Sequence, residues 1–291
     1  MRIAILASSR GWHVEALERA IQARGHSGAF LPITGLCGHL PGPPHVEVQA
    51  HLLEGFDGIL VRTLPRGSLE QIVFRMDVLH RLEHLGCYVV NRAEAIERCA
   101  DKFLTSALLR DAGLLTPQTV VTERFETALE AYRRMRDCVV KPLFGSEGRG
   151  MVRITDEETA YRVFRALELA RAVYYVQSTV PHEGFDVRAL VVGGRVVGAM
   201  RRRAQSWRTN LAQGGRPEPF RLPEEWEEMS LRAAQAVGAD YAGVDLLPAR
   251  DGRVYVLEVN AIPGWRGLQQ VSEVDIAATI VDHMIRRIGG R

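Results

Sequence analysis

The chain has 291 residues, 37 basic against 35 acidic, a net charge of +2 and 46% hydrophobic residues. A length of that order buries a substantial core and predicts more than one domain, while so even a charge balance gives no global argument for binding nucleic acid or membrane. Cys37, Cys87, Cys99 and Cys138 are scattered with no Cys-x-x-Cys pair, and of the nine histidines only His80 and His84 have His-x-x-x-His spacing, so the reading is reduced thiols in a cytoplasmic protein rather than a disulfide framework or a zinc site.

Residues 1–91 alternate strand and helix signals. The start, Met1-Arg2-Ile3-Ala4-Ile5-Leu6-Ala7, is too short and too soon interrupted for a signal peptide and reads as a buried strand over 3–7. A helix is expected over 12–24, stopped by Gly25, then a strand over 58–62, a helix over 69–85 and a strand over 88–91. That alternation argues for a parallel sheet covered by helices. Ser8-Ser9-Arg10-Gly11 follows the first strand, where open α/β sheets bind ligands, but it lacks the dinucleotide fingerprint. The proline-rich stretch from Leu40 to Pro44 reads as a surface excursion without chemistry.

Residues 92–180 continue with a helix over 93–112, ended by Gly113, a strand over 119–122, and helices over 125–136 and 157–170. Between those two helices the apolar run Val139-Val140 delivers Lys141 to Pro142-Leu143-Phe144-Gly145-Ser146-Glu147-Gly148-Arg149-Gly150. Three glycines in six residues let a backbone turn sharply and bring N–H groups to an anion. Because the lysine comes first and strands flank the loop, it reads as a flap over a nucleotide rather than a phosphate loop before a helix; a plain flexible hairpin is the alternative. A strand over 174–177 closes this part.

In residues 181–291, strands over 186–190 and 195–199 are expected to pair around Gly193-Gly194. A helix over 224–237 ends at Gly238. Two further strands carry acids: Asp245 in Gly243-Val244-Asp245-Leu246-Leu247, and Glu258 with Asn260 in Val254-Tyr255-Val256-Leu257-Glu258-Val259-Asn260. Asp251-Gly252 between them is a hairpin signal. Strict alternation sets Glu258 and Asn260 on one face and Leu257 and Val259 on the other. Pairing would gather Asp245, Glu258 and Asn260, three oxygen ligands suited to Mg²⁺; an ordinary hairpin with a wet polar face is the alternative.

Lys102, Lys141, the 145–150 loop, Gln177 with Val180, Asp186-Val187-Arg188, Asn210, Asp245, Glu258 and Asn260 occur in the order found in ATP-grasp ligases. The run DVRALVVGGRVVGAMRRRAQSWRTNLAQGG resembles RimK-type ligases, which add L-glutamate or another amino acid to a carboxylate, and the segment from Asn260 to Gln269 is similar to the branch that extends pterin cofactors such as tetrahydromethanopterin. The resemblance covers essentially the whole chain. It implies an α/β fold of the α+β ATP-grasp kind: an N-terminal parallel-sheet domain over 1–91, then two α+β subdomains, 92–180 with the glycine-rich flap and 181–291 with the metal site, gripping ATP.

The roles below are those the resemblance implies. Lys102, Lys141, Gly145, Ser146, Gly148, Gly150, Gln177 and Val180 bind ATP, the last two at the adenine edge. Asp245, Glu258 and Asn260 hold Mg²⁺, with Mn²⁺ as a substitute. Arg188, Arg203 and Asn210 act on phosphate and acyl phosphate, and Arg202 and Arg208 on substrate carboxylates. Trp265 would stack on a planar group and Arg266 pair with a carboxylate; a loop anchored by a buried tryptophan is the alternative. Many family members carry an acid near Gln177, where this chain has Ser178 and the register stays open, and the usual member has an acid where this chain has Arg201. The implied activity is an ADP-forming carboxylate–amine ligase working through an acyl phosphate. Its partners are ATP, L-glutamate and a carboxylate-bearing acceptor, with no nucleic acid and no membrane, in a homo-oligomer. A protein C-terminus or carrier protein is the alternative acceptor.

Overall fold

The computed structural model describes residues 1–40, 45–145, 148–204, 207, 209 and 214–290. The chain opens with β1 (Arg2–Ala7), α1 (Trp12–Gln22) and β2 (Ser27–Pro32), followed by a small antiparallel sheet of β3 (Leu36–His39), β4 (His45–Val48) and β5 (His51–Leu52). Next come β6 (Gly58–Val61), α2 (Leu69–His84) and β7 (Tyr88–Val90). β1, β2, β6 and β7 form a parallel sheet in the order β2-β1-β6-β7. Ile3 to Ala7 are fully buried, as expected where both faces of a parallel sheet are covered. α2 begins at a reciprocal cap between Ser68 and Gln71. β1, β6, β7 and both helices lie where the sequence signals put them, whereas β2 and the β3-β4-β5 sheet, whose strands are short and Gly-, His- or Pro-bearing, are additions to that pattern.

The single helix expected over 93–112 is two: α3 (Ala93–Ala100) and α4 (Lys102–Asp111). Asp101 breaks it. Its backbone is extended, and its carboxylate accepts from Phe103 N and Leu104 N, which starts a new helix with Lys102 as its first residue. Then follow β8 (Thr119–Thr122), α5 (Phe125–Met135), β9 (Cys138–Lys141), β10 (Val152–Ile154), α6 (Glu157–Leu169) and β11 (Tyr174–Ser178). The four strands form an antiparallel sheet in the order β10-β9-β11-β8. Its core joins Phe125, Tyr132 and Phe164 of the helices to Val140, Tyr174 and Val176 of the strands.

A larger antiparallel sheet, β14-β13-β12-β15-β16, is built from β12 (Phe185–Val192), β13 (Arg195–Arg203), β14 (Arg216–Pro219), β15 (Tyr241–Pro248) and β16 (Val254–Asn260). The β12–β13 turn holds Gly193 and Gly194, both at positive φ as such a hairpin requires. α7 (Glu224–Val237) stops at Gly238 in the left-handed conformation. The short α8 (Arg266–Gln269) leads to α9 (Ile276–Gly289). α9 packs against α1, and one core joins its Ile280, Val281 and Met284 to Ile3, Ile5 and Leu17 of the N-terminal part. Among the described residues, no helix is long and apolar enough to cross a membrane.

Candidate active site

The β10-β9-β11-β8 and β14-β13-β12-β15-β16 sheets enclose a cleft of about 420 Å³. Val139 and Lys141 of β9, Gln177 of β11, Asp245 and Leu247 of β15, and Leu257 and Glu258 of β16 line it, with Lys102, Gly145 and Gly148 at its edge. The register sets Asp245 directly opposite Glu258. Beyond that pair the ladder shifts, with Leu246 opposite Val256, so Leu257 is the extra residue of a bulge. The strict alternation expected for this strand therefore fails at one place, and Leu257 and Glu258 both reach the cleft.

Asp245 is buried and takes a two-pronged bond from Arg188, Nε to Oδ1 at 2.6 Å and Nη2 to Oδ2 at 2.7 Å. Arg202 lies 2.8 Å from the same Oδ2 and also binds Asp186 in two-pronged fashion, while Thr209 Oγ1 donates to Asp186 at 2.7 Å. Burial by itself would raise the Asp245 pKa, but Arg188 and Arg202 outweigh it and hold the carboxyl below the usual range. Glu258 moves the other way: burial and then the Asp245 charge push it up, against opposing pulls from Arg188, Lys141 and Lys102. Two adjacent carboxylates, one disfavoured as an anion, fit a hard divalent cation that would relieve their repulsion. A carboxylate has about four lone pairs, so three N–H contacts still leave Asp245 one site for an ion.

Lys102 Nζ donates to the carbonyls of Leu143 and Gly145, at 3.3 and 2.7 Å, tying the start of α4 to the glycine-rich loop. Lys141 Nζ donates to Gln177 Oε1 at 2.6 Å, and Gln177 Nε2 donates to Thr119 Oγ1 at 2.9 Å. Burial lowers both lysine pKa values, that of Lys141 to about 8. Gly145, Gly148 and Gly150 all sit at positive φ, which explains the glycines of this loop.

Other expected residues lie elsewhere. Arg202 is 2% exposed, consumed by its two acids. Arg203 points to the opposite face of β13, 5.4 Å from the Phe185 ring and 3.5 Å from Glu218. Asn260 Oδ1 accepts from Ile262 N at 2.9 Å and shapes the turn after β16. Trp265 is 1% exposed, its ring enclosed by His13, Trp12 and the Arg62 guanidinium. Trp265 N donates to His13 Nε2, and burial together with Arg62 and Arg266 lowers the His13 pKa to about 3. Arg266 is exposed, 5.9 Å from the Trp12 ring. Ser146, Arg208 and Asn210 lie outside the described residues.

Two groups in the cleft have no role in the sequence expectations. Asp186, part of the Asp186-Val187-Arg188 match, shares the inward face with Arg188, as alternation along that run requires. Asp137, paired with Arg153 and accepting from Thr179 Oγ1 at 2.7 Å, joins three distant segments and had no local signal.

A cleft between two antiparallel sheets, with lysines and a glycine-rich loop at one side and paired acids at the other, defines a ligase of the ATP-grasp type. The family model described as the RimK-like ATP-grasp domain matches residues 99–284, and that of the RimK PreATP-grasp domain matches 1–96; the chain belongs to the RimK-like ATP-grasp family. It is similar to the tetrahydromethanopterin:alpha-L-glutamate ligase of Methanococcus maripaludis, 33% identical over 290 residues and 98% of each chain. The enzyme of the same name from Methanocaldococcus jannaschii is 39% identical over 243 residues, 81% of each chain. A probable alpha-L-glutamate ligase of Xanthomonas euvesicatoria is 34% identical over the whole of both. Among solved structures, the ATP-grasp ligase PsnB complexed with a minimal precursor is 25% identical over 98% of each chain, with a TM-score of 0.79.

Proposed function

We propose that this ligase joins L-glutamate to a small carboxylate-bearing cofactor acceptor of the pterin type, with ATP and through an acyl phosphate. The observation that carries this reading is the gathering of Lys102, Lys141, Asp245 and Glu258 in one cleft beside the glycine-rich loop. Full-length similarity to ligases named for tetrahydromethanopterin and L-glutamate supports the choice of substrates.

In this reading Val139, Val180, Leu247 and Leu257 supply apolar walls for the adenine, with Gln177 at its polar edge. Lys102 and Lys141 offset phosphate charge. Asp245 and Glu258, joined by Asn260 once its Oδ1 turns from Ile262 N, would hold Mg²⁺ or Mn²⁺, which when bound withdraws charge from the phosphates so that a carboxylate can approach. A carboxylate oxygen then bonds to the γ-phosphorus as the bridging P–O bond breaks and ADP leaves. The amine attacks the acyl carbon, phosphate departs with the bonding pair, and the amine loses a proton. In this reading Arg188 exchanges its bond to Asp245 for the transferred phosphoryl group. The 145–150 loop closes over the anhydride and excludes water. A cytoplasmic homo-oligomer goes with this reading, and light scattering measures the assembly.

The test is turnover with ATP, Mg²⁺, L-glutamate and a panel of acceptors, read by mass spectrometry and ³¹P NMR. The expected products are ADP, phosphate and a glutamyl amide, with hydroxylamine trapping the acyl phosphate as a hydroxamate. Stoichiometric pyrophosphate would overturn the mechanism. A second reading, ligation to a protein C-terminus or carrier protein, draws support from the structure of PsnB complexed with a minimal precursor; glutamylation of a peptide arm but of no pterin would select it.

A further inference from the structure

Outside the cleft, the β3-β4-β5 sheet brings together three metal-ligating side chains to which the proposed ligase gives no task. Cys37 and His39 are two residues apart on β3 and so share a face. The register sets Glu47 of β4 directly opposite Cys37. Val46 and Val48, alternating with Glu47, are buried in the core, which turns the three polar residues outward. Their ligand atoms all lie within 4.8 Å of one another. His39 Nε2 is 3.5 Å from Cys37 Sγ and 3.1 Å from Glu47 Oε1. An ordinary surface pair accounts for His39 and Glu47, but not for a thiol meeting the same ring nitrogen.

We propose that Cys37, His39 and Glu47 form a binding site for a divalent transition ion of zinc's class, with water as the fourth ligand. Zinc's bond lengths to sulfur, nitrogen and oxygen place tetrahedral donors roughly 3.3–3.6 Å apart. The 3.5 Å separation falls inside that range and the 3.1 Å separation just below it, so small side-chain shifts seat the ion. A thiolate and a carboxylate balance its two charges, with the imidazole neutral. The thiol S–H bond breaks, a sulfur–metal bond forms and the proton goes to solvent, with no change of oxidation state. Sulfur and nitrogen donors select against Mg²⁺, so this site and the cleft take different ions. The ion would staple β3 to β4, strands of four residues each beside a β5 of two, a sheet too small to gain much from its own ladder.

The sequence carried only half of the pattern. Cys-x-His gives two ligands, and the third arrives across the strand pair, which no spacing along the chain reveals.

The test is a Co²⁺ titration of the full chain after chelator treatment. One equivalent is expected to produce a thiolate-to-cobalt charge-transfer band in the near ultraviolet with intense tetrahedral visible bands. Cobalt in the oxygen-lined cleft gives only weak bands and no charge transfer. Cys37→Ser should abolish the charge-transfer band. His39→Ala and Glu47→Gln should weaken binding by at least about tenfold, since even outer partners of a metal ligand matter that much. Amide exchange in β3 and β4 should slow with Zn²⁺ in the native protein and not in Cys37→Ser. Mg²⁺-dependent ATP turnover should be the same in all three variants, which separates this site from the ligase reading. Uptake of Co²⁺ without a charge-transfer band, or a band that survives Cys37→Ser, would overturn the proposal.

Discussion

Glu258 is the residue on which charge and position bear most directly. Burial and the neighbouring Asp245 raise its pKa, so its proton is held more tightly in the folded chain than in the unfolded one. Stability from this group is therefore fully present below the ordinary carboxylate range and is lost as pH rises from that range through the raised folded-state value. Glu258→Gln removes the repulsion: without metal, its melting temperature at neutral pH is expected to equal or exceed the native value, by calorimetry. Glu258→Ala is expected to cut Mg²⁺-dependent turnover by about 10²–10³-fold, the scale of one electrostatic contact to a developing charge, with the fold intact by circular dichroism. Full turnover would return Asp245 and Glu258 to an ordinary hairpin. Lys141 gives a separate pH signature. In the nucleotide-free protein it loses its charge as pH rises through about 8, so ATP affinity measured by calorimetry should fall between neutral and alkaline pH. Lys141→Arg stays charged and should flatten that profile, whereas Lys141→Met should weaken ATP binding throughout and spare the amino acid.

At the scale of elements, two short features fix where the chemistry sits. Asp101 divides what would be one helix, and the break points Lys102 at the loop. Asp101→Ala should cost about 0.5–2 kcal/mol of stability, the loss of one N-cap, and also weaken nucleotide binding through Lys102; urea unfolding and an ATP titration of the same variant read the two effects. At the β12–β13 turn, a Cβ on Gly193 would overlap the buried His283 ring at a positive φ. Gly193→Ala is expected to cost about 2–4 kcal/mol, combining left-handed strain with overpacking. Gly252→Ala, at positive φ but with open space around it, serves as the comparison and should cost only the strain part, about 1–2 kcal/mol.

At the scale of the whole molecule, the end of the chain completes the core of its beginning. α9 lays Ile280, Val281 and Met284 against β1 and α1, and Arg24 of the N-terminal part pairs with Asp282. Met284, fully buried, should cost about 2–5 kcal/mol when cut to alanine. A fragment of residues 1–96, the stretch matched by the PreATP-grasp model, would expose the surface that α9 covers. It is expected to show no cooperative urea transition alone, and a stable, cooperatively unfolding fragment would show that α9 adds nothing essential.

What the sequence determined by itself was local. Apolar runs carrying acids, with Asp251-Gly252 between them, marked β15 and β16, helical spacing and a following glycine marked α7, and the order of Lys102, Lys141, Asp245 and Glu258 marked the family. These signals live within a few residues, or in an order along the chain, and need no knowledge of what packs where. The tertiary structure alone decided the rest. The bulge at Leu257 depends on how two strands align, not on either strand. Arg202 looks like its neighbours in sequence, yet only the inward turn of β13 buries it between Asp186 and Asp245. Trp265 reads equally well as a substrate platform or an anchor until His13 and Arg62, some two hundred residues earlier, enclose its ring. The meeting of Cys37, His39 and Glu47 is of the same kind: backbone periodicity is written locally, but register, burial and the partner of a charge are fixed only when distant segments are brought into contact.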